Sequence, residues 1–118
     1  MRERLAEFEI EERDGVLVAR IGGEIDSSNA AELRLALTDH LPNASTAMIL
    51  DLSRVGYIDS SGIQLLFDLG RRLAARRQTM RLVVPDGAPT RRVLELCDVD
   101  DVAPLDVELD ASLGSVSQ

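Results

Sequence analysis

Two adjacent serines, Ser60 and Ser61, stand between Asp59 and Gly62 in the segment whose residue types offer the clearest chemistry. Aspartate and serine favour helix N-termini because their side-chain oxygens accept hydrogen bonds from the unpaired amides of the first turn. One interpretation is therefore a plain helix cap followed by a permissive glycine. The other is a phosphorylation site, since a serine at a helix start is accessible and a phosphate there would meet free amides and the helix dipole.

Phosphorylation at this point would add a charge of about −1.5 to −2 to the surface. The charge would lie beside Asp59, and beside Asp26 if the two loops share one face of the domain. A partner docked over that face would bind more weakly after the modification. The residue types alone leave both Ser60 and Ser61 open as the acceptor.

The elements that must position these residues alternate between strands and helices, which predicts an α/β domain with a mixed sheet of four or five strands and helices packed on it. In chain order we predict strands at 8–12 and 16–21, a helix from 30 to about 42, a strand at 47–50, a connection at 51–57, a helix at 61–77, a strand at 81–84, a helix at 90–97, a short strand within 100–107 and one helical turn within 108–118. Asp14-Gly15 predicts a hairpin turn, and Gly22-Gly23 is expected to end the second strand.

Composition excludes several classes of protein. All 13 basic residues are arginine, so the chain lacks the lysine of a P-loop, of a Schiff-base enzyme and of the usual receiver domain. The formal net charge of −8 disfavours contact with nucleic acid or anionic lipid. No apolar run reaches the roughly 20 residues of a membrane span, and the start lacks a signal-peptide core, so we expect a cytoplasmic protein without membrane insertion.

Other residues that could do chemistry have simpler explanations. Cys97, the single cysteine, is expected to be a buried structural thiol. His40 is expected at the surface near a helix end, and no Gly-x-Ser-x-Gly elbow accompanies it, so a hydrolase is not indicated. The pair Asp100-Asp101 lacks a third ligand nearby, so we expect no metal site, no cofactor and no catalytic residue.

Three motifs resemble those of a known family, the STAS-domain anti-sigma factor antagonists. Residues 51–62 are similar to the family's signature, residues 23–26 to its second motif, and residues 92–97 to its third-helix segment. The resemblance covers roughly 8–110, so the whole chain, 1–118, is expected to be a single STAS domain. All three motifs occur in the expected order and spacing.

The resemblance implies a partner-switching mechanism in transcription regulation and stress response. Unphosphorylated members bind an anti-sigma factor that is also a serine kinase, and they thereby free the sigma factor. The kinase then modifies the serine after the motif aspartate, here Ser60 with Ser61 as the alternative, and a serine phosphatase resets the switch. Asp26, Asp59, Ser61 and Gly62 are the implied partner-binding residues.

Two other functions remain open on the same resemblance. STAS domains also serve, without phosphorylation, as subunits of lipid-transport or membrane-transporter complexes, and as modules of stress-signalling assemblies. The chain departs from the family at Gln64 and Leu65, where a second small residue often follows the motif glycine. The departure bears on the choice of partner and leaves the acceptor serine in place.

Overall fold

Five strands form one mixed sheet in the computed structural model, which describes residues 7–40 and 46–116. The strands lie in chain order across the sheet: β1 Glu7–Arg13, β2 Val16–Ile25, β3 Ala47–Ile58, β4 Thr79–Val83 and β5 Leu105–Asp106. The first two strands pair antiparallel, and every later pair is parallel. The predicted mixed sheet with packed helices is confirmed.

Four α-helices and one short 3-10 helix connect and cover the strands. They are α1 Ala30–Asp39, α2 Ser60–Ala75, α3 Pro89–Leu96, the 3-10 turn Val99–Asp101 and α4 Leu109–Val116. The predicted end of the first helix, near Pro42-Asn43, falls outside the described residues, and α1 ends at Asp39. His40 follows as its C-terminal cap and is exposed, as predicted.

The turn between β1 and β2 has the conformation that its sequence predicts. Asp14 and Gly15 both have positive φ, 51° and 84°. Two consecutive left-handed residues are the requirement of the type I′ turn, whose twist matches an antiparallel pair. The hairpin therefore forms with Arg13 opposite Val16.

Strands β2 and β3 are longer than predicted. Neither Gly22-Gly23 nor residues 51–57 interrupts them, and Ile25 pairs with Ile58 at the end of the parallel ladder. The pairing shifts twice, and each shift leaves one extra residue on β3. These bulges space the buried side chains of β3 by three residues, at Leu52, Val55 and Ile58, so alternation could not reveal the strand.

Each face of the sheet carries its own apolar cluster. The larger core joins β2, β3 and β4 to α1, α2 and α3, and its helical members include Leu33, Leu37, Leu66, Leu69, Leu73 and Leu94. The opposite face carries a smaller cluster from the three central strands, which Leu109 and Leu113 of α4 cover. The helical turn predicted within 108–118 is therefore a full helix, and it is needed to cover apolar surface.

An ion pair and a hydrogen bond connect β5 and α4 to strand β4. Arg81 of β4 donates to both carboxylate oxygens of Asp106 at 2.8 and 3.0 Å, and the hydroxyl of Ser112 on α4 also donates to Asp106. The guanidinium, and to a smaller degree the hydroxyl, lowers the pKa of Asp106 although burial opposes them.

The prediction of a buried thiol at Cys97 is wrong, because the residue is exposed. Helix α3 buries only Thr90 and Leu94, and Cys97 is its C-terminal cap. Asp98 then turns the chain with φ of 58°, and Val99 fills the core position that follows. The helix begins one residue earlier than predicted, at Pro89, and its N-terminal cap residue is Ala88.

Candidate functional site

Asp59 fixes the start of α2 at the carboxyl edge of the sheet. It follows β3 directly, has an extended backbone, and accepts hydrogen bonds from the amides of Ser61 at 2.9 Å and Gly62 at 3.3 Å through one carboxylate oxygen. Its own amide donates to the carbonyl of Ile25 at 3.2 Å. The cap is therefore tied both to its helix and to the end of the neighbouring strand.

Asp59 also occupies the amides that a phosphate was expected to use. The sequence predicted free amides at this helix start, but the amides of Ser61 and Gly62 already donate to the aspartate. A phosphate on Ser60 would meet the like charge of Asp59 before it met these donors. That part of the prediction is wrong because the residue preceding the serine is itself the cap.

The two serines differ in accessibility. Ser60 is the first residue of α2 and is exposed, whereas Ser61 is half-buried. The Ser60 hydroxyl makes no hydrogen bond with a described residue. The geometry thus places a free, accessible hydroxyl at position 60 and a more restricted one at position 61.

Gly62, which the resemblance implies as a partner-binding residue, is buried. A Cβ at this position would lie 2.9 Å from Ile25 Cγ2 and 2.9 Å from Ile58 Cδ1, and closer still to Ile58 Cγ1. The glycine therefore permits a close approach within the domain. Because position 62 has no side chain, the first turn of α2 packs directly against the ends of β2 and β3.

Asp26 lies at the same edge of the sheet as Asp59, since each directly follows one of the paired residues Ile25 and Ile58. Its carboxylate accepts from the hydroxyl of Ser28 at 2.6 Å and from the Ser28 amide at 2.9 Å. These two bonds lower the pKa of Asp26 below its ordinary value. The structure thus brings both aspartates to one face, although the Asp26 side chain binds Ser28 and does not cap α1.

Asn29 holds the Asp26 turn in place and is buried. Its side-chain oxygen accepts from the amide of Asp26 at 3.1 Å, and its side-chain nitrogen donates to the carbonyl of Glu24 at 2.8 Å. Asn29 occupies the N-cap position of α1, but its side chain makes no cap bond. Only the folded turn shows that it positions Asp26.

A groove between α1 and α2 opens beside the serines. It has a volume of about 510 Å³ and is lined by Ser27, Ala30, Ala31, Arg34, Ser60, Ser61, Gln64, Leu65 and Asp68. Gln64 donates to Asp68 at 3.1 Å along the α2 wall. The two residues that depart from the family pattern, Gln64 and Leu65, therefore shape this groove.

Metal-ligand clusters and membrane-spanning helices are absent from the described part of the chain. No group of histidine, cysteine and carboxylate side chains within residues 7–40 and 46–116 could hold a metal ion. None of the helices described there is long and apolar enough to cross a bilayer. Cys97 and His40 line neither the serine groove nor the aspartate turns.

A family model of the STAS domain matches residues 7–113. This chain therefore belongs to the STAS domain family, as its three motifs indicated. Among relatives, it is 34% identical over 92 residues to the anti-sigma-F factor antagonist RsfB of Mycobacterium tuberculosis, covering 77% of this chain and 73% of that protein.

Solved structures of anti-sigma factor antagonists are also similar to this chain. An anti-sigma factor antagonist from Mycobacterium paratuberculosis superposes with a TM-score of 0.85 at 30% identity, over 96% of this chain and 95% of that one. The anti-sigma factor antagonist SpoIIAA in its unphosphorylated form superposes with a TM-score of 0.77 at 23% identity, over 94% and 96% of the two chains, and at that identity it supports the fold alone.

Proposed function

We propose that this chain is an anti-sigma factor antagonist that acts by binding and not by catalysis. In its unphosphorylated form it binds an anti-sigma factor serine kinase in the cytoplasm and frees the sigma factor. Phosphorylation of Ser60 ends the complex, and a serine phosphatase restores it. The names of the similar proteins support the antagonist role, and the exposed Ser60 hydroxyl at the Asp59-capped helix start is the observation that carries the switch.

The docking surface that we propose is the carboxyl edge of the sheet. Asp26 and Asp59 lie side by side there, with Ser60 next to them. Tyr57 lies on the same edge with 51% of its surface exposed. Exposed aromatic residues are frequent anchors in protein interfaces, so this edge combines an apolar anchor with acidic neighbours.

The effect of phosphorylation follows from like charges. A phosphate on Ser60 would add about −1.5 to −2 charges beside Asp59. Placing like charges in a docked interface costs several kcal/mol, and about 3 kcal/mol corresponds to roughly 100-fold weaker binding. That change is large enough to release a partner.

Binding to, and phosphorylation by, an anti-sigma factor serine kinase test the proposal. Ser60→Ala should bind the kinase like wild type but remain bound after ATP is added, whereas Ser61→Ala should be released. Because Asp59 is the cap, Ser60→Ala removes no cap bond, and stability should stay within about 0.5 kcal/mol of wild type. Release of Ser60→Ala on ATP addition would refute the assignment of the switch.

Two further measurements complete this test. Fragmentation mass spectrometry should place the phosphate on Ser60, and phosphate on Ser61 alone would move the acceptor without changing the mechanism. Asp26→Asn keeps an oxygen for the bonds from Ser28 but removes the charge, so it should weaken kinase binding while preserving the fold. An absence of phosphate on both serines with an active kinase would favour a STAS subunit that works without phosphorylation.

A further inference from the structure

The lining of the groove between α1 and α2 includes both the exposed Ser60 and a cationic side chain. Of the described residues that line it, Arg34 alone is positively charged, and Ser60 and Ser61 form part of the same lining. Arg34 lies on α1 and is half-buried. It is one of the residues that line the groove.

Arg34 makes no ion pair with any residue in 7–40 or 46–116. The acid among the described lining residues, Asp68, is already engaged by Gln64 at 3.1 Å and by Arg71 at 3.4 Å. The other acids near the serines are occupied too, since Asp59 caps α2 and Asp26 accepts from Ser28. The guanidinium is therefore available for an added anion.

A cation in the groove would stabilise a phosphate on Ser60. The first-turn amides of α2 already donate to Asp59, so the helix start offers few donors and one like charge. A guanidinium has five N–H donors and no acceptor, and its fork geometry binds two phosphate oxygens at once. Arg34 is the group in this groove with that chemistry.

We propose that Arg34 binds the phosphate carried by Ser60 and holds it over the groove between α1 and α2. The inference rests on the proposed phosphorylation of Ser60. Arg34 is a positioning residue in this role. It offsets repulsion from Asp59 within the domain, so the phosphorylated protein keeps its fold while its docking edge becomes more negative.

The test places phosphoserine at position 60 by genetic encoding, so the phosphate is present whether or not a kinase exists. Phosphorus NMR then follows the second ionisation of the phosphate, near pH 6. A neighbouring cation favours the doubly charged form, so the phosphate pKa in the wild-type background should be roughly 0.5 to 1 pH unit lower than in Arg34→Gln. Arg34→Lys keeps the charge and should keep most of the difference.

Arg72→Gln is the matched control. It removes the same charge from an exposed position on α2, about 18 Å farther along the helix axis at a rise of ~1.5 Å per residue. The phosphate should titrate in this variant as it does in the wild-type background. An equal change in Arg72→Gln and Arg34→Gln would show an effect of net charge alone and overturn the contact.

A measurement that needs no loss of Arg34 guards against a misfolded variant. The side-chain N–H resonance of Arg34, assigned in the otherwise wild-type protein by through-bond correlation with its own backbone amide, should shift when Ser60 carries the phosphate. An unshifted resonance, or a phosphate pKa that is the same in Arg34→Gln and wild type, would overturn the inference and leave the proposed function standing. An absence of phosphate on both Ser60 and Ser61 after reaction with an active anti-sigma factor kinase would instead overturn the proposed function.

Discussion

The close packing around Gly62, at the candidate site, leads to a quantitative prediction of the free energy of unfolding. A methyl group added by Gly62→Ala would lie 2.9 Å from Ile25 Cγ2 and 2.9 Å from Ile58 Cδ1. Both neighbours are β-branched residues with restricted χ1 angles, and both are buried at the ends of adjacent strands. They cannot swing away as a flexible surface side chain would.

Two contributions of opposite sign set the change in the free energy of unfolding that Gly62→Ala causes. Replacing a helical glycine by alanine stabilises by about 0.5–1 kcal/mol through reduced backbone entropy. Overpacking a filled core costs typically about 1–3 kcal/mol. Because two stiff side chains must move, we expect the upper part of that range and a net loss of about 1–2 kcal/mol in the free energy of unfolding.

Urea unfolding followed by circular dichroism measures this loss, since the chain has no tryptophan. Gly114→Ala is the control, because Gly114 also lies in a helix, is exposed, and has nothing within 4 Å of an added Cβ. That variant should be as stable as wild type or up to about 1 kcal/mol more stable. A Gly62→Ala protein no less stable than wild type would refute the packing argument.

Two other features give predictions of stability and reactivity. Asp106→Asn should cost about 1.5–3 kcal/mol at pH 7, the value of hydrogen bonds to charged groups, because it weakens the contact with Arg81. Since folding lowers the pKa of Asp106, the stabilisation is present above its unfolded pKa of about 3.9 and is lost as pH falls through the lower folded value. Urea unfolding should therefore show a smaller difference in unfolding free energy between Asp106→Asn and wild type at acid pH than at pH 7. A difference that stayed constant would contradict this prediction. Cys97 should react fully with a thiol reagent in the folded protein, because it is exposed; protection until denaturant is added would contradict this exposure.

The sequence predicted those parts of the fold that depend on local patterns. The hairpin at Asp14-Gly15 and the long amphipathic helix followed from residues close together in the chain. The extension of β3 through 51–58 did not, because its bulges depend on pairing with β2, about thirty residues away. Cys97 was misplaced for a similar reason, since the core position near it is taken by Val99 after a tight turn.

The candidate site shows the same division between local and long-range causes. Asp59 and Ser60 could be found from their order before an apolar helix. Asp26 lies beside Asp59 because β2 and β3 pair in a parallel register. From the sequence, this proximity could be predicted only on the condition that the two loops share one face. The role of Asn29 depends on contacts across a folded turn, and the role proposed for Arg34 depends on its place in a groove between two helices. A single sequence reveals neither.

The structure separates the groups that hold the site from the group proposed to switch it. Asp59, Asn29 and Gly62 fix the ends of β2 and β3 and the start of α2 through backbone bonds and close packing. Ser60 takes no part in those contacts, since its side chain is exposed and no cap bond depends on it. A charge added to Ser60 would therefore change the surface at the carboxyl edge of the sheet without removing any bond that forms it. A site built in this way can alternate between two electrostatic states while the domain keeps one fold.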